Sequence, residues 1–145
     1  MKKTTRRPTK AEMQEAWYLI DAAGQVLGRL SSRVAKVLMG KDKATYDPAV
    51  VGSTKVVIIN AAQIKVTGGS KLEKKLYYRH SGYPGGLKTT KLATLMGKRP
   101  IEVVRHAIAG MLPKNKLQRL RLANLKIYPG DQHPHQAQQP VKLEV

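Results

Sequence analysis

The sequence predicts an α/β fold, with helices flanking a small, mostly parallel sheet. Three observations carry that reading. Short apolar runs that suit strands alternate along the chain with stretches whose apolar residues recur at helical spacing. One run, Val56 to Ile59, is continuous and β-branched, as in a parallel strand covered on both faces. The chain has 145 residues, which suits one domain with a real core, and it carries no internal repeat and no linker long enough to make two. The expected organisation is a basic N-terminal arm over 1–15, a single α/β domain over 16–128 and an irregular C-terminal tail over 129–145.

The elements follow in order. MKKTTRRPTK is positively charged, but no apolar run succeeds it, so it reads as an arm rather than a signal peptide. WYLI, Trp17 to Ile20, ends at the turn-like DAAG and reads as a buried strand. In VLGRLSSRVAKVLMG, Leu27, Leu30, Val34 and Val37/Leu38 make an apolar stripe, while Arg29, Arg33 and Lys36 share another face. Gly40 stands where a helix C-cap glycine would. After a loop marked by Asp47-Pro48 and Gly52-Ser53 comes the strand KVVIIN. Residues 70–92 read as an extended stretch, a glycine-rich loop and a return. Pro100 suits the first turn of a helix whose apolar stripe is Ile101, Val104, Ile108 and Met111, with Pro113 beyond its end. KNKLQRLRLANL makes a short basic helix with Asn115 as N-cap, and LKIY a last strand. GDQHPHQAQQPVKLEV is polar, rich in Gln and Pro, and reads as irregular.

Lys and Arg number 27 against 9 Asp and Glu, a formal net charge of +18. Such a charge repels itself in the compact state, and a polyanion is the natural compensation. Nucleic acid is favoured over membrane, because no segment approaches the continuous apolar length of a span. With no cysteine, disulfide scaffolds, zinc–thiolate sites and thiol nucleophiles are excluded. That composition fits a cytoplasmic protein.

The stretch YYRHSGYPGGLK, Tyr77 to Lys88, invites two readings: a catalytic loop around His80, or a nucleic-acid surface. Catalysis wants an orienting carboxylate beside the histidine, and the nearest acids in sequence, Glu73 and Asp47, have no diagnostic spacing. Neither Gly40-Lys41-Asp42 nor Gly97-Lys98-Arg99 completes a phosphate-binding P-loop, and GxGxxG is absent. His133-Pro134-His135 would need a third ligand from the fold to hold a metal, so neither a metal nor another cofactor is expected. A binding surface needs no added parts. Tyrosines offer planar faces, Arg79 and Lys88 meet phosphate, and glycines allow close approach. Either Tyr77 or Tyr78 is expected to be core, since a strand sends neighbours to opposite faces. Tyr83 is the tyrosine expected to stack on RNA.

YYRHSGYPGGLK also resembles the loop of the thirteenth-protein family of the bacterial large ribosomal subunit. WYLIDAAGQVLGRL, KVVIINA, AIAGMLPKNKL and KIYPGDQHPHQAQQP are similar to that family's opening strand and helix, second strand, most specific signature and closing stretch. The resemblance implies a three-layer α/β/α fold on a mainly parallel four-stranded sheet. It implies a structural, non-catalytic role on large-subunit rRNA, early in assembly, beside neighbouring large-subunit ribosomal proteins. It implies no membrane, no small-molecule substrate and no homo-oligomer. By that resemblance Arg79, His80, Tyr83, Gly85, Gly86, Lys88, Lys114, Asn115, Lys116, His133 and His135 face rRNA. The basic stretches add Arg6, Arg7, Arg29, Arg33, Lys36, Lys41, Lys43, Lys75, Lys98, Arg99, Arg119 and Arg121, with Tyr78 from the loop. The chain departs from the family pattern at Ala49, where a histidine is usual, and at Ser53-Thr54-Lys55. Residues 1–15 are expected to extend beyond the family's usual start.

Overall fold

In the computed structural model, Thr9 and residues 15–143 are described. The expected arm, with Arg6 and Arg7, lies almost entirely outside them. Strand β1, Ala16–Asp21, and strand β2, Thr54–Ile59, lie parallel in a register running from Ala16 opposite Thr54 to Asp21 opposite Ile59. Parallel neighbours need a crossover, and helix α1, Leu27–Met39, supplies it. Its expected apolar stripe is buried, and Gly40 ends it in the left-handed region at φ 78°, a conformation glycine adopts without a Cβ clash.

Beyond β2 the chain leaves the sheet. A short helix α2, Lys71–Lys74, leads into an antiparallel hairpin of β3, Leu76–His80, and β4, Leu87–Lys91, which forms its own two-stranded sheet. Helix α3, Leu92–Lys98, was not foreseen; Leu92, its buried residue, is fully enclosed. Helix α4, Pro100–Met111, begins at the expected proline. Its buried line runs Val104, Ile108, Leu112, with Val103 beside it. Met111 is 42% exposed, contrary to the expected stripe, because that i, i+4 ridge carries the contact past it to Leu112. Helix α5, Lys116–Ala123, is capped by Asn115, whose Oδ1 accepts the Leu117 amide at 3.1 Å. Strand β5, Leu125–Ile127, pairs parallel with β2.

The tail is irregular except at its end. Val141–Lys142 forms β6, parallel to β1 with Tyr18 opposite Val141, and the Leu143 amide donates to the Leu19 carbonyl at 2.8 Å. The sheet is therefore four-stranded and parallel in the order β5-β2-β1-β6, with helices on both sides, as the α/β expectation has it. Two residues carry no readable alternation, and their pairing depends on the free edge that β1 offers.

The core cluster fills one face of that sheet. Ile20, Val56, Ile58, Leu125 and Ile127 meet Leu30, Val34, Val37 and Leu38 of α1 and the buried side of α4. Val57 points the other way and is still fully buried. By alternation Trp17 and Tyr128 lie on that second face, where the His135 ring centroid is 5.2 Å from Trp17 and the Tyr128 hydroxyl meets His135 Nε2 at 2.9 Å.

Candidate nucleic-acid interface

The hairpin decides which tyrosine is core. Tyr77 sits opposite Thr90 and turns inward, its ring 5.6 Å from that of His106 on α4 and packed against the core cluster. Burial pushes its phenol pKa up. Tyr78, the next residue, must point the other way and is 65% exposed.

The tip closes on itself. Ser81 N–H donates to the Gly86 carbonyl at 3.1 Å, Gly86 N–H to the Tyr83 carbonyl at 2.9 Å, and Gly82 N–H to His80 Nδ1 at 3.0 Å. Gly85 has φ +72°, and a Cβ on Gly86 would fall 2.0 Å from Ser81 Oγ and 2.8 Å from the Tyr83 carbonyl oxygen. Those two glycines are thus required by the turn itself. Tyr83 is left 77% exposed at its apex. His80 spends a ring nitrogen on the turn, and among the described residues no group of three His, Cys, Asp or Glu converges as a metal site would need.

Between the hairpin and the helices α3 and α4 runs a groove of about 780 Å³. It gathers Tyr78 and Arg79 with Lys98 and Arg99, which lie in separate parts of the sequence, and adds Lys91 and His106, which sequence reasoning missed. Arg99 Nη1 is held by Glu102 Oε1 at 2.9 Å; Arg79 and Lys98 have no acid partner among the described residues. A second groove, about 670 Å³, lies along α4 and α5 and joins Asn115, Lys116 and Arg119 to Arg105, another residue missed. The signal for Arg105 was its place on the polar side of α4. Arg29, Arg33 and Lys36 are exposed on α1, as are Lys41, Lys75, Lys88 and Lys114 in their segments; Lys43 is half-buried.

Arg121 requires a correction. It is 2% exposed, and its Nη2 donates to the Pro48 carbonyl at 3.1 Å. One turn on, Asn124 Nδ2 donates to the Gly52 carbonyl at 3.2 Å. Arg121 therefore braces the 47–53 loop and presents no charge to a partner. The two tail histidines are half-buried and tied inward, His133 Nδ1 accepting the His135 amide at 3.2 Å and His135 meeting Tyr128. Their rings help hold the tail against the sheet.

The grooves, helix faces and loop together present cations with few acids between them, an arrangement suited to phosphate. The model of the family described as "Ribosomal protein L13" matches residues 15–134. The chain belongs to the ribosomal protein L13 family. Membership gives it a structural role as a ribosomal protein rather than an enzyme. Among its relatives, the "Large ribosomal subunit protein uL13" of Kocuria rhizophila is 53% identical, over 97% of this chain and 95% of the relative. Those of the same name from Geobacter sulfurreducens and Syntrophotalea carbinolica are 47% and 46% identical, each over 99% of its own length. The Geobacter alignment takes in 99% of this chain. The expectation that residues 1–15 exceed the usual start thus agrees with the family model but not with these full-length relatives. No helix among the described residues is long and apolar enough to cross a membrane.

Proposed function

We propose that this chain is a constituent of the large ribosomal subunit that binds large-subunit rRNA and supports early assembly of that subunit. The relatives carry the large subunit in their names, and the chemistry of this chain's surface agrees. The observation that carries the reading is the groove between the hairpin and α3–α4. There the fold assembles Arg79, Lys91, Lys98 and Arg99 on one wall system, next to the exposed Tyr78 and the glycine tip. Phosphates of a folded RNA repel one another, and a scaffold that places cations on several faces lets distant segments approach. Arg29, Arg33 and Lys36 on α1 and Lys114, Lys116 and Arg119 around α5 supply further faces. Neighbouring large-subunit proteins are the other expected contacts, and no homo-oligomer is needed.

The test is the salt dependence of binding to large-subunit rRNA. Each phosphate contact contributes a slope of about −0.7 to −0.9 in log K against log salt, so six to ten contacts weaken binding by roughly 10³–10⁵ between 50 and 200 mM salt. A slope near zero sinks the reading. Sedimentation through a sucrose gradient then separates a subunit constituent, which travels with the large subunit after a moderate salt wash, from a free-standing binder. Depletion should stall large-subunit precursors; normal early particles would remove the assembly role.

A further inference from the structure

The hairpin has two chemically different faces, and the proposed rRNA binding does not by itself require this. Residues directly opposite in an antiparallel pair share a face. Leu76, Tyr78 and His80 on β3 therefore share one with Lys91, Thr89 and Leu87 on β4. The other face holds Tyr77, Arg79, Lys88 and Thr90. Tyr77 fixes which is which, because it packs on His106 and the core. The outward face is thus exposed, Leu76 at 38%, Tyr78 at 65% and Leu87 at 57%, while its residues Tyr78, Thr89 and Lys91 also border the groove toward α3 and α4.

On this face Tyr78 and His80 stand two residues apart on one strand, which spaces their side chains by about 6.6–6.8 Å. Two planar rings in a row is the arrangement that holds successive unstacked bases. His80 is oriented as well as exposed, since its Nδ1 accepts the Gly82 amide. Tyr78 and Tyr83 have no ring partner among the described residues, so neither exposed ring is occupied from within. Charge selects the occupant. The hairpin and its approach carry Lys71, Lys74, Lys75, Arg79, Lys88 and Lys91 against a single acid, Glu73. An apolar protein surface would have to be brought against that excess, whereas a nucleic-acid strand is drawn to it.

We propose that the outward face of the hairpin is a stacking platform for unpaired RNA nucleotides, with bases on Tyr78 and His80 and the flanking phosphates on the cations at the hairpin's edges and groove side. The RNA element held there is a loop, bulge or single strand, not a continuous duplex, whose bases are stacked away inside the helix. This rests on the RNA-binding reading above and adds the class of RNA structure to it.

The experiment compares the full chain with Tyr78→Ala and Tyr78→Phe, binding a twelve-nucleotide single-stranded oligoadenylate and a twelve-base-pair RNA duplex. Tyr78→Ala should weaken the single strand by about 5- to 150-fold, the range for losing one base–aromatic stack. It should leave the duplex affinity and the salt slope unchanged, and Tyr78→Phe should restore the single strand. Because Tyr78 is exposed, thermal melting should be the same in all three proteins. Equal losses on both RNAs, or none on either, overturn the platform while leaving RNA binding intact. Failure of the unaltered chain to bind either RNA with a salt-dependent affinity overturns the underlying reading, and the platform with it.

Discussion

Gly86 is the residue on which the geometry of the hairpin tip turns. In Gly86→Ala the new Cβ would lie 2.0 Å from Ser81 Oγ and 2.8 Å from the Tyr83 carbonyl oxygen. The serine hydroxyl can rotate away. The carbonyl is backbone, and to reach even a close C···O contact of about 3.3 Å it must retreat by roughly 0.5 Å. That same oxygen accepts the Gly86 amide at 2.9 Å, so the retreat stretches the bond past the usual limit of about 3.2 Å. The Ser81-to-Gly86 bond, which closes the tip from the other side, is strained with it. Losing one or both at about 0.5–1.5 kcal/mol each makes the tip less stable by about 0.5–3 kcal/mol. Amide hydrogen exchange at Ser81 and Gly86 should quicken by the corresponding factor, and affinity for rRNA should fall as the tip loses its shape. Gly69→Ala is the control. Nothing lies within 4 Å of its Cβ and its φ is not in the left-handed region, so no loss is expected there. Unchanged exchange at Ser81 and Gly86 in Gly86→Ala would refute the claim that the glycine is required by close approach.

Other expectations follow from single contacts. Arg121→Met should leave rRNA affinity and its salt slope unchanged, because the guanidinium is buried against Pro48, whereas Arg119→Ala should reduce the slope by about one unit; a slope that falls with Arg121→Met would show that the Arg121 charge reaches the RNA. Tyr128→Phe removes the hydroxyl that meets His135 and should cost about 1 kcal/mol in urea denaturation, with faster exchange at Leu143 as the tail loosens. Stability equal to that of the unaltered protein would detach the tail from the sheet's second face. The carboxyl of Asp21 is held below its ordinary 3.8 by hydrogen bonds from the Ala23 amide and the Asn60 side chain. A folded pKa below the unfolded one means the carboxylate adds stability above about pH 3.8 that is lost as pH falls through the folded value. The stability difference between wild type and Asp21→Asn should therefore shrink as pH falls from neutrality to values below about 3.8. A difference that stays constant across that range would show that Asp21 is not the linked group.

Much of this is legible in the sequence, and the limits of legibility have physical causes. The parallel pair β1–β2, the helix between them, the Gly40 C-cap and the Asn115 N-cap all rest on local patterns: periodicity, chain reversal and caps within a few residues. The charge that points to a polyanion is a property of composition, and no folding step can alter it. Other features depend on pairings between distant parts of the chain. Tyr77 and Tyr78 are equivalent in sequence until His106 is placed beside one of them. Arg121 reads as one more surface cation because a buried arginine is rare, and only the carbonyl of Pro48, 73 residues away, gives it a place inside. Val141 and Lys142 become a strand because β1 presents an unpaired edge, which two residues cannot announce. The groove that unites Arg79 with Lys98 and Arg99 exists because α3 folds back beside the hairpin. The sequence by itself determined the class of fold and the class of partner. Tertiary structure decided which residues meet that partner, because facing, burial and convergence are set by contacts between segments that do not touch in sequence.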